Sequence, residues 1–248
     1  MEPVFRTLEM AAVAGAALVG TRVTYQGLEN IPRSGGGVVA INHTSYIDFL
    51  PVGMATRRRR RRVRYMLKAE MRDVRVVDYL IRKTGAIPVD RTAGAQAYAE
   101  AVRQLRAGEL VGVYPEATIS RSFELKEFKS GAARMALEAE VPIIPFIVWG
   151  AQRIWTKDHP KALGRNKIPI TVHVGEPLPP IGPATELDAA LRDRMTALLH
   201  QVQDSYPHPA GEFWVPHRLG GGAPTMAQAR EMEAAELAER ARRAGGQG

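Results

Sequence analysis

Residues 41–51 read Ile-Asn-His-Thr-Ser-Tyr-Ile-Asp-Phe-Leu-Pro, placing a histidine and an aspartate five positions apart. The apolar residues 38–41 suit a buried parallel strand that ends at Asn42 and His43. A helical pattern begins at Thr44 or Ser45, so Asp48 falls where a carboxylate satisfies the free amides of a helix N-terminus. In one continuous helix a spacing of five separates two side chains by about 140°. If His43 instead sits just before the helix, Asp48 can reach back to its ring, fix the tautomer and leave the other nitrogen as a base. A histidine at a strand end and a capping aspartate each have an ordinary structural reading on their own. Together, with no reactive serine beside them, they suggest direct activation of a substrate hydroxyl.

Further segments fall in an order that makes the pair informative. Residues 85–91 read Gly-Ala-Ile-Pro-Val-Asp-Arg, 113–118 read Val-Tyr-Pro-Glu-Ala-Thr, and 141–145 read Val-Pro-Ile-Ile-Pro. Phe128-Lys129, followed by Gly131-Ala132, and the run Val174-Gly-Glu-Pro-Leu178 complete the set. With His43-x-x-x-x-Asp48 at its head, this series resembles the four motifs of the glycerolipid acyltransferases, over residues 24–206. The resemblance implies acyl transfer from acyl-CoA or acyl carrier protein to the hydroxyl of a lysophosphatidic-acid-like acceptor, with no cofactor and no metal. It implies His43 as general base, Asp48 as its orienting partner, and Asn42 and Ser45 in support. It also implies a substrate contact from Arg91, which closes the second motif; the further candidate contacts are Lys68, Glu116, Thr118, Arg121 and Lys129, with Glu116 either positioning acceptor hydroxyls or bracing the site.

The third motif departs from the family pattern, usually Phe-Pro-Glu-Gly-Thr-Arg-Ser. Ala117 stands in the glycine position, and Ile119 stands where an arginine normally meets the substrate phosphate. Arg121, Lys68, Arg91 and Lys129 are the cations available to replace it. Glycerol 3-phosphate, another lysophospholipid or a glycolipid therefore stay open as acceptors. A non-catalytic membrane- or nucleic-acid-binding protein on the same fold is the reading from another class.

The remaining sequence narrows these options. The 248 residues carry a net charge of +8, and no cysteine excludes disulfides, thiolate metal sites and cysteine nucleophiles. Neither a G-x-S-x-G elbow nor a G-x-x-x-x-G-K-[ST] phosphate loop occurs, and the histidines lack metal-ligand spacing. Between residues 53 and 91, thirteen Arg or Lys stand against four acids, while the rest of the chain is nearly balanced. The arginines at 57–62 lack the interleaved aromatics of a nucleic-acid surface. Close in sequence to the His–Asp pair, they read as a patch facing an anionic membrane surface, and no nucleic-acid partner is expected. The longest charge-free stretch near the start, residues 10–21, is rich in Ala and Gly and shorter than the about 20 apolar residues that span a bilayer. It reads as a helix either packed on the domain or lying in the membrane interface, so the expected place is the cytoplasmic face of a membrane, peripheral or monotopic.

The elements that must position these residues alternate. Strand patterns at 38–41, 63–67, 110–114, 142–149 and 168–174 are separated by helical patterns, which predicts an α/β fold: a layered mixed sheet flanked by helices, with an N-terminal amphipathic helix. The organisation read from these patterns is an interface helix at 1–23, an acyltransferase-like domain at 24–206, and a tail at 207–248 comprising a loop and a solvated or loosely docked Ala/Glu/Arg-rich helix without chemistry.

Overall fold

The computed structural model describes residues 3–90 and 94–245. Helix α1 (Pro3–Leu18) leads into β1 (Val23–Gln26) and β2 (Gly37–Ile41). Next come α2 (Phe49–Arg58), β3 (Val63–Lys68), α3 (Arg75–Thr84) and β4 (Ile87–Val89). Then follow α4 (Gly94–Arg106), β5 (Leu110–Val113), α5 (Gly131–Ala139), β6 (Ile143–Trp149) and β7 (Ile170–Val174), before α6 (Ala184–Asp204) and α7 (Met226–Gly245). The strands form one mixed sheet in the order β1-β7-β6-β2-β5-β3-β4. Its central strands β6, β2, β5 and β3 run parallel, and the direction reverses between β6 and β7.

Central β2 has all five residues buried. Its period of two divides them: Val38 and Ala40 enter a core with α4, α5 and α6, while Val39 and Ile41 enter a second core with Val52 and Ala55 of α2. Burial on both faces explains why the strand reads as an unbroken apolar run. The covering helices follow from spacing too. Ala97, Ala101, Val102 and Leu105 make one buried stripe on α4, as do Leu187, Leu191, Met195, Leu198 and Val202 on α6.

The predicted helix from 45 starts later, because residues 45–48 form a turn and α2 begins at Phe49. The tail departs further from its reading. Trp214, Val215 and Ala223 are buried in the main core, so the loop after α6 is packed rather than loose. Helix α7 itself pairs with the body of the protein through charge.

Helix α1 lies against α2 and α3 and buries none of its described side chains, leaving Leu8, Met10, Val13 and Leu18 exposed. No helix among the described residues is long and apolar enough to cross a membrane. What holds α1 is partly the arginine run. Glu9 pairs with Arg57 at 3.5 Å and Arg62 at 3.4 Å, and the Arg62 and Arg64 guanidiniums lie over the Phe5 ring.

That run is not one uniform patch. Arg61 donates to the carbonyls of Pro32 (2.9 Å), Gly35 (2.7 Å) and Gly108 (2.7 Å), tying the entry of β2 to the turn before β5. Buried Arg64 holds Thr84 O and Glu109. Glu9, Arg57, Arg60, Arg61, Arg62, Arg64 and Glu109 together line a cavity of about 560 Å³. Glu109 precedes β5 and Arg62 precedes β3, so this cavity sits at the strand beginnings, the end of the sheet opposite His43. Proximity in sequence to His43 is therefore not proximity in space. Replacing Arg61 with Met strands three carbonyls and is expected to cost about 2 kcal/mol. Arg60→Gln, which removes an exposed side chain, is expected to cost less than about 0.5 kcal/mol. Urea denaturation of the two variants checks the contrast.

Candidate functional site

The strand ends of β2 and β5 lie side by side, Ala40 being in register with Val113, so the chain after each strand emerges at the same edge. Asn42 pins the first of these exits. Its amide group donates to Val148 O (3.0 Å) and accepts from Val148 N (2.7 Å), locking the β2 exit onto β6. The next residue is His43, which enters a turn rather than a helix.

One oxygen of Asp48 organises that turn. Oδ2 accepts from the Thr44 amide (2.8 Å) and the Ser45 amide (2.7 Å), and it faces His43 Nδ1 at 3.2 Å. Oδ2 thus closes the turn and faces the imidazole, but it caps no helix, because α2 begins only after it and has no side-chain cap bond. Asp48 has no solvent exposure; burial pushes its carboxyl up, opposed by His43 and the two amides. An ionised Asp48 holds the proton on Nδ1 and leaves Nε2, unpaired among the described residues, with its lone pair. The imidazole stacks on Tyr114 with ring centres 3.9 Å apart, and its side chain is 18% exposed. Tyr114 ends up well above its ordinary range through burial and the nearby Asp48, so it stays a neutral platform.

The supporting residues divide clearly. Ser45 Oγ lies 2.6 Å from Trp155 O and 3.1 Å from Ala151 O, so it fastens the turn to the loop after β6. Thr156 does the same through Thr44 O at 2.6 Å. Buried Glu116 accepts from the His43 amide on Oε1 (2.7 Å) and from the Lys126 amide on Oε2 (3.1 Å). Through both oxygens Glu116 ties the His43 turn to the loop after β5. The Ser120 amide donates to His43 O at 2.8 Å, adding a second tie between the 114–126 loop and the histidine.

The expected phosphate contacts are less uniform. Arg91 lies outside the described residues. Lys68 is exposed at the end of β3, and Lys129 is exposed just before α5, its ammonium without a partner among the described residues. Arg121 is committed elsewhere, its buried guanidinium donating to Asp158 (2.5 Å) and Glu236 (2.9 Å). Thr118 Oγ1 accepts from the Lys126 ammonium. Lys126 was not singled out by sequence, and neither was Tyr114 as a stacking platform. Tyr114 was findable in principle, since it leaves a strand parallel to the one that presents His43. Lys126 had no such signal, because its place depends on the fold of the loop.

The unusual third motif has a conformational side. Ala117 adopts φ +61°, a left-handed conformation open to glycine, and alanine there costs about 1 kcal/mol. Glu116 next to it has its carboxyl pushed up to about 7 by burial, from an ordinary 4.5. The folded protein therefore retains a proton that the unfolded chain releases, and stability falls as pH rises from about 4.5 to 7. The expected contribution of Glu116 to that fall is on the order of 2 kcal/mol, and Glu116→Gln is expected to flatten it. Chemical denaturation at pH 5 and pH 7.5 measures both proteins.

Comparison with known proteins follows the same residues. A family model described as Acyltransferase matches residues 22–149, the stretch that contains His43, Asp48 and Glu116. The chain is 30% identical over 118 residues to the 1-acyl-sn-glycerol-3-phosphate acyltransferase of Bacillus subtilis (strain 168), covering 47% of this chain and 57% of that protein. It is 25% identical over 149 residues to the protein of the same name from Borreliella burgdorferi, covering 57% and 56%. An uncharacterized Mycobacterium bovis protein is 32% identical over 146 residues, covering 54% and 39%. The chain thus spans about half the length of the curated relatives it matches. The crystal structure of the 1-acyl-sn-glycerophosphate (LPA) acyltransferase PlsC from Thermotoga maritima shares the fold, with a TM-score of 0.69 at 21% identity over 82% of this chain and 81% of that one. With a family model spanning more than half of its length and the His43–Asp48 turn at the centre of the matched stretch, the chain belongs to the Acyltransferase family.

Proposed function

We propose that this protein transfers a fatty acyl group from a thioester donor, acyl-CoA or acyl carrier protein, to the free hydroxyl of a 1-acylglycerol 3-phosphate-like acceptor. The observation that carries this is the His43–Asp48 turn: Nδ1 is held by a buried carboxylate and Nε2 is unpaired among the described residues. Nε2 takes the proton of the acceptor hydroxyl as its oxygen bonds to the thioester carbonyl carbon. The resulting imidazolium is stabilised by Asp48 and returns the proton to the departing thiolate as the carbon–sulfur bond breaks. A thioester is already activated, so positioning and one base suffice, and no covalent enzyme intermediate is required.

The same reading extends to location. α1 leaves Leu8, Met10, Val13 and Leu18 exposed, and the segment entering and forming α3 exposes Met71, Val74, Val76 and Tyr79. A largely apolar helix that buries none of its described side chains in protein suits the headgroup–acyl boundary of a bilayer. Arg57 and Arg60, exposed near its base, add attraction to anionic lipid. With acyl-CoA or acyl carrier protein as donor, this reading puts that surface on the cytoplasmic side. An intact His–Asp geometry favours catalysis over a purely binding role, and the commitment of Arg61 and Arg64 to protein carbonyls and Glu109 weakens the case for a nucleic-acid patch.

His43→Ala is expected to lower acyl transfer at least a thousandfold while leaving the far-ultraviolet circular dichroism unchanged. Labelled acyl-CoA offered with 1-acylglycerol 3-phosphate, glycerol 3-phosphate and other lysolipids reads both turnover and product; turnover retained by the variant would refute the mechanism. Met10→Asp with Val13→Asp is expected to reduce co-sedimentation with phosphatidylglycerol-containing vesicles by about tenfold. Equal sedimentation of variant and wild type would refute α1 as the anchor.

A further inference from the structure

Helix α7 docks differently from the others. α4 and α6 bury apolar stripes, whereas the inward side of α7 is Ala229, Glu233 and Glu236, with Met232 and Leu237 left 40% and 60% exposed. Its two inward carboxylates meet three cations. Glu233 pairs with the Lys126 ammonium at 2.8 Å, and Glu236 pairs with Arg121 Nη2 at 2.9 Å and with the Lys157 ammonium. Lys157 and Arg121, with Arg240 of α7 itself, pull the Glu236 carboxyl down to about 2.

One of the cations, Lys126, is connected to the His43 turn through the loop after β5. The Lys126 ammonium also holds Thr118, and the Lys126 amide shares the Glu116 carboxylate with the amide of His43. Arg121 is buried, yet its Nη1 has no acceptor among the described residues. A buried guanidinium donor left empty beside a borrowed carboxylate indicates an anion site that α7 fills incompletely. The chain leading to α7 is anchored by buried Val215 and Ala223, so release of the helix leaves the core in place.

We propose that Arg121, Lys126 and Lys157 form an anion site on the loop that braces His43, that Glu233 and Glu236 occupy it in the resting chain, and that the phosphate of the acceptor displaces α7 to enter it. A phosphate presents three acceptor oxygens and up to two charges on one centre, and guanidinium binds it through two parallel hydrogen bonds. Glu233 and Glu236 meet these cations as separate contacts from a helix that buries little apolar surface, whereas one phosphate gathers its oxygens on a single centre; Asp158 keeps its bond to Arg121 Nε. The site takes over the role of the arginine that Ile119 replaces, and α7 makes entry conditional on a phosphate-bearing acceptor. The inference rests on the acyltransferase reading above.

The test uses the full chain and soluble 1-hexanoylglycerol 3-phosphate, with 1-hexanoylglycerol and inorganic phosphate as controls. Hydrogen exchange of wild type should show residues 226–243 losing protection at saturating 1-hexanoylglycerol 3-phosphate and not with 1-hexanoylglycerol. Unchanged or increased protection would overturn the displacement. Glu233→Gln with Glu236→Gln should lower the acceptor Kd roughly tenfold with kcat within about twofold, and Lys126→Gln should raise it by a similar factor. An unchanged Kd in the double variant would assign α7 a bracing role instead. Equal loss of protection with inorganic phosphate at the same concentration would overturn the headgroup assignment. If neither protein transfers an acyl group, the acyltransferase reading fails, while the binding and exchange measurements still decide the fate of α7.

Discussion

The site depends on one buried oxygen, Asp48 Oδ2. It accepts from two successive amides and faces the imidazole, so it holds the turn closed and the histidine oriented at once. A carboxylate without solvent exposure is costly unless it is hydrogen-bonded, and here the turn itself supplies the donors to Oδ2, while Oδ1 has no partner among the described residues. Loss of the turn leaves the charge without partners, and loss of the charge frees the turn. The conformation of the turn and the orientation of the His43 ring are therefore one property.

The sheet carries this arrangement outward. Parallel strands β2 and β5 deliver two loops to the same edge, where open α/β sheets commonly bind ligands. Glu116 joins those loops by accepting from the amides of His43 and Lys126, and Ser120 returns a bond to His43 O. Asn42 fixes the strand exit against β6, and Ser45 and Thr156 fasten the turn to the loop after it. Three loops thus converge on a histidine through backbone contacts, which leaves its outer nitrogen available for chemistry. The reliance on backbone partners also explains why so few side chains in the motifs are free to meet substrate.

Charge is organised by position rather than by total. Arg61 serves as a clamp on three carbonyls and Arg64 as a buried partner of Glu109, while Arg57 and Arg62 hold α1 through Glu9. At the far end of the sheet, Lys126, Arg121 and Lys157 are matched by acids from α7 and by Asp158. A net charge of +8 therefore overstates the cationic surface available to a partner, since many of its members are already bound within the chain.

The sequence by itself determined the class of fold, the strands that alternate with helices, and the identity of the His43–Asp48 pair. These follow from local periodicity and from spacing within eleven residues, both of which survive in a linear string. Where the arginine run lies, what Glu116 bonds and whether the tail docks were decided only by tertiary structure. Arg57 is fourteen positions from His43, yet the length of α2 carries it to the opposite end of the sheet. Glu236 is far away in sequence, yet it meets Arg121 across 115 positions. Hydrogen bonds and ion pairs act over a few ångströms, and only the packed fold decides which distant residues come that close.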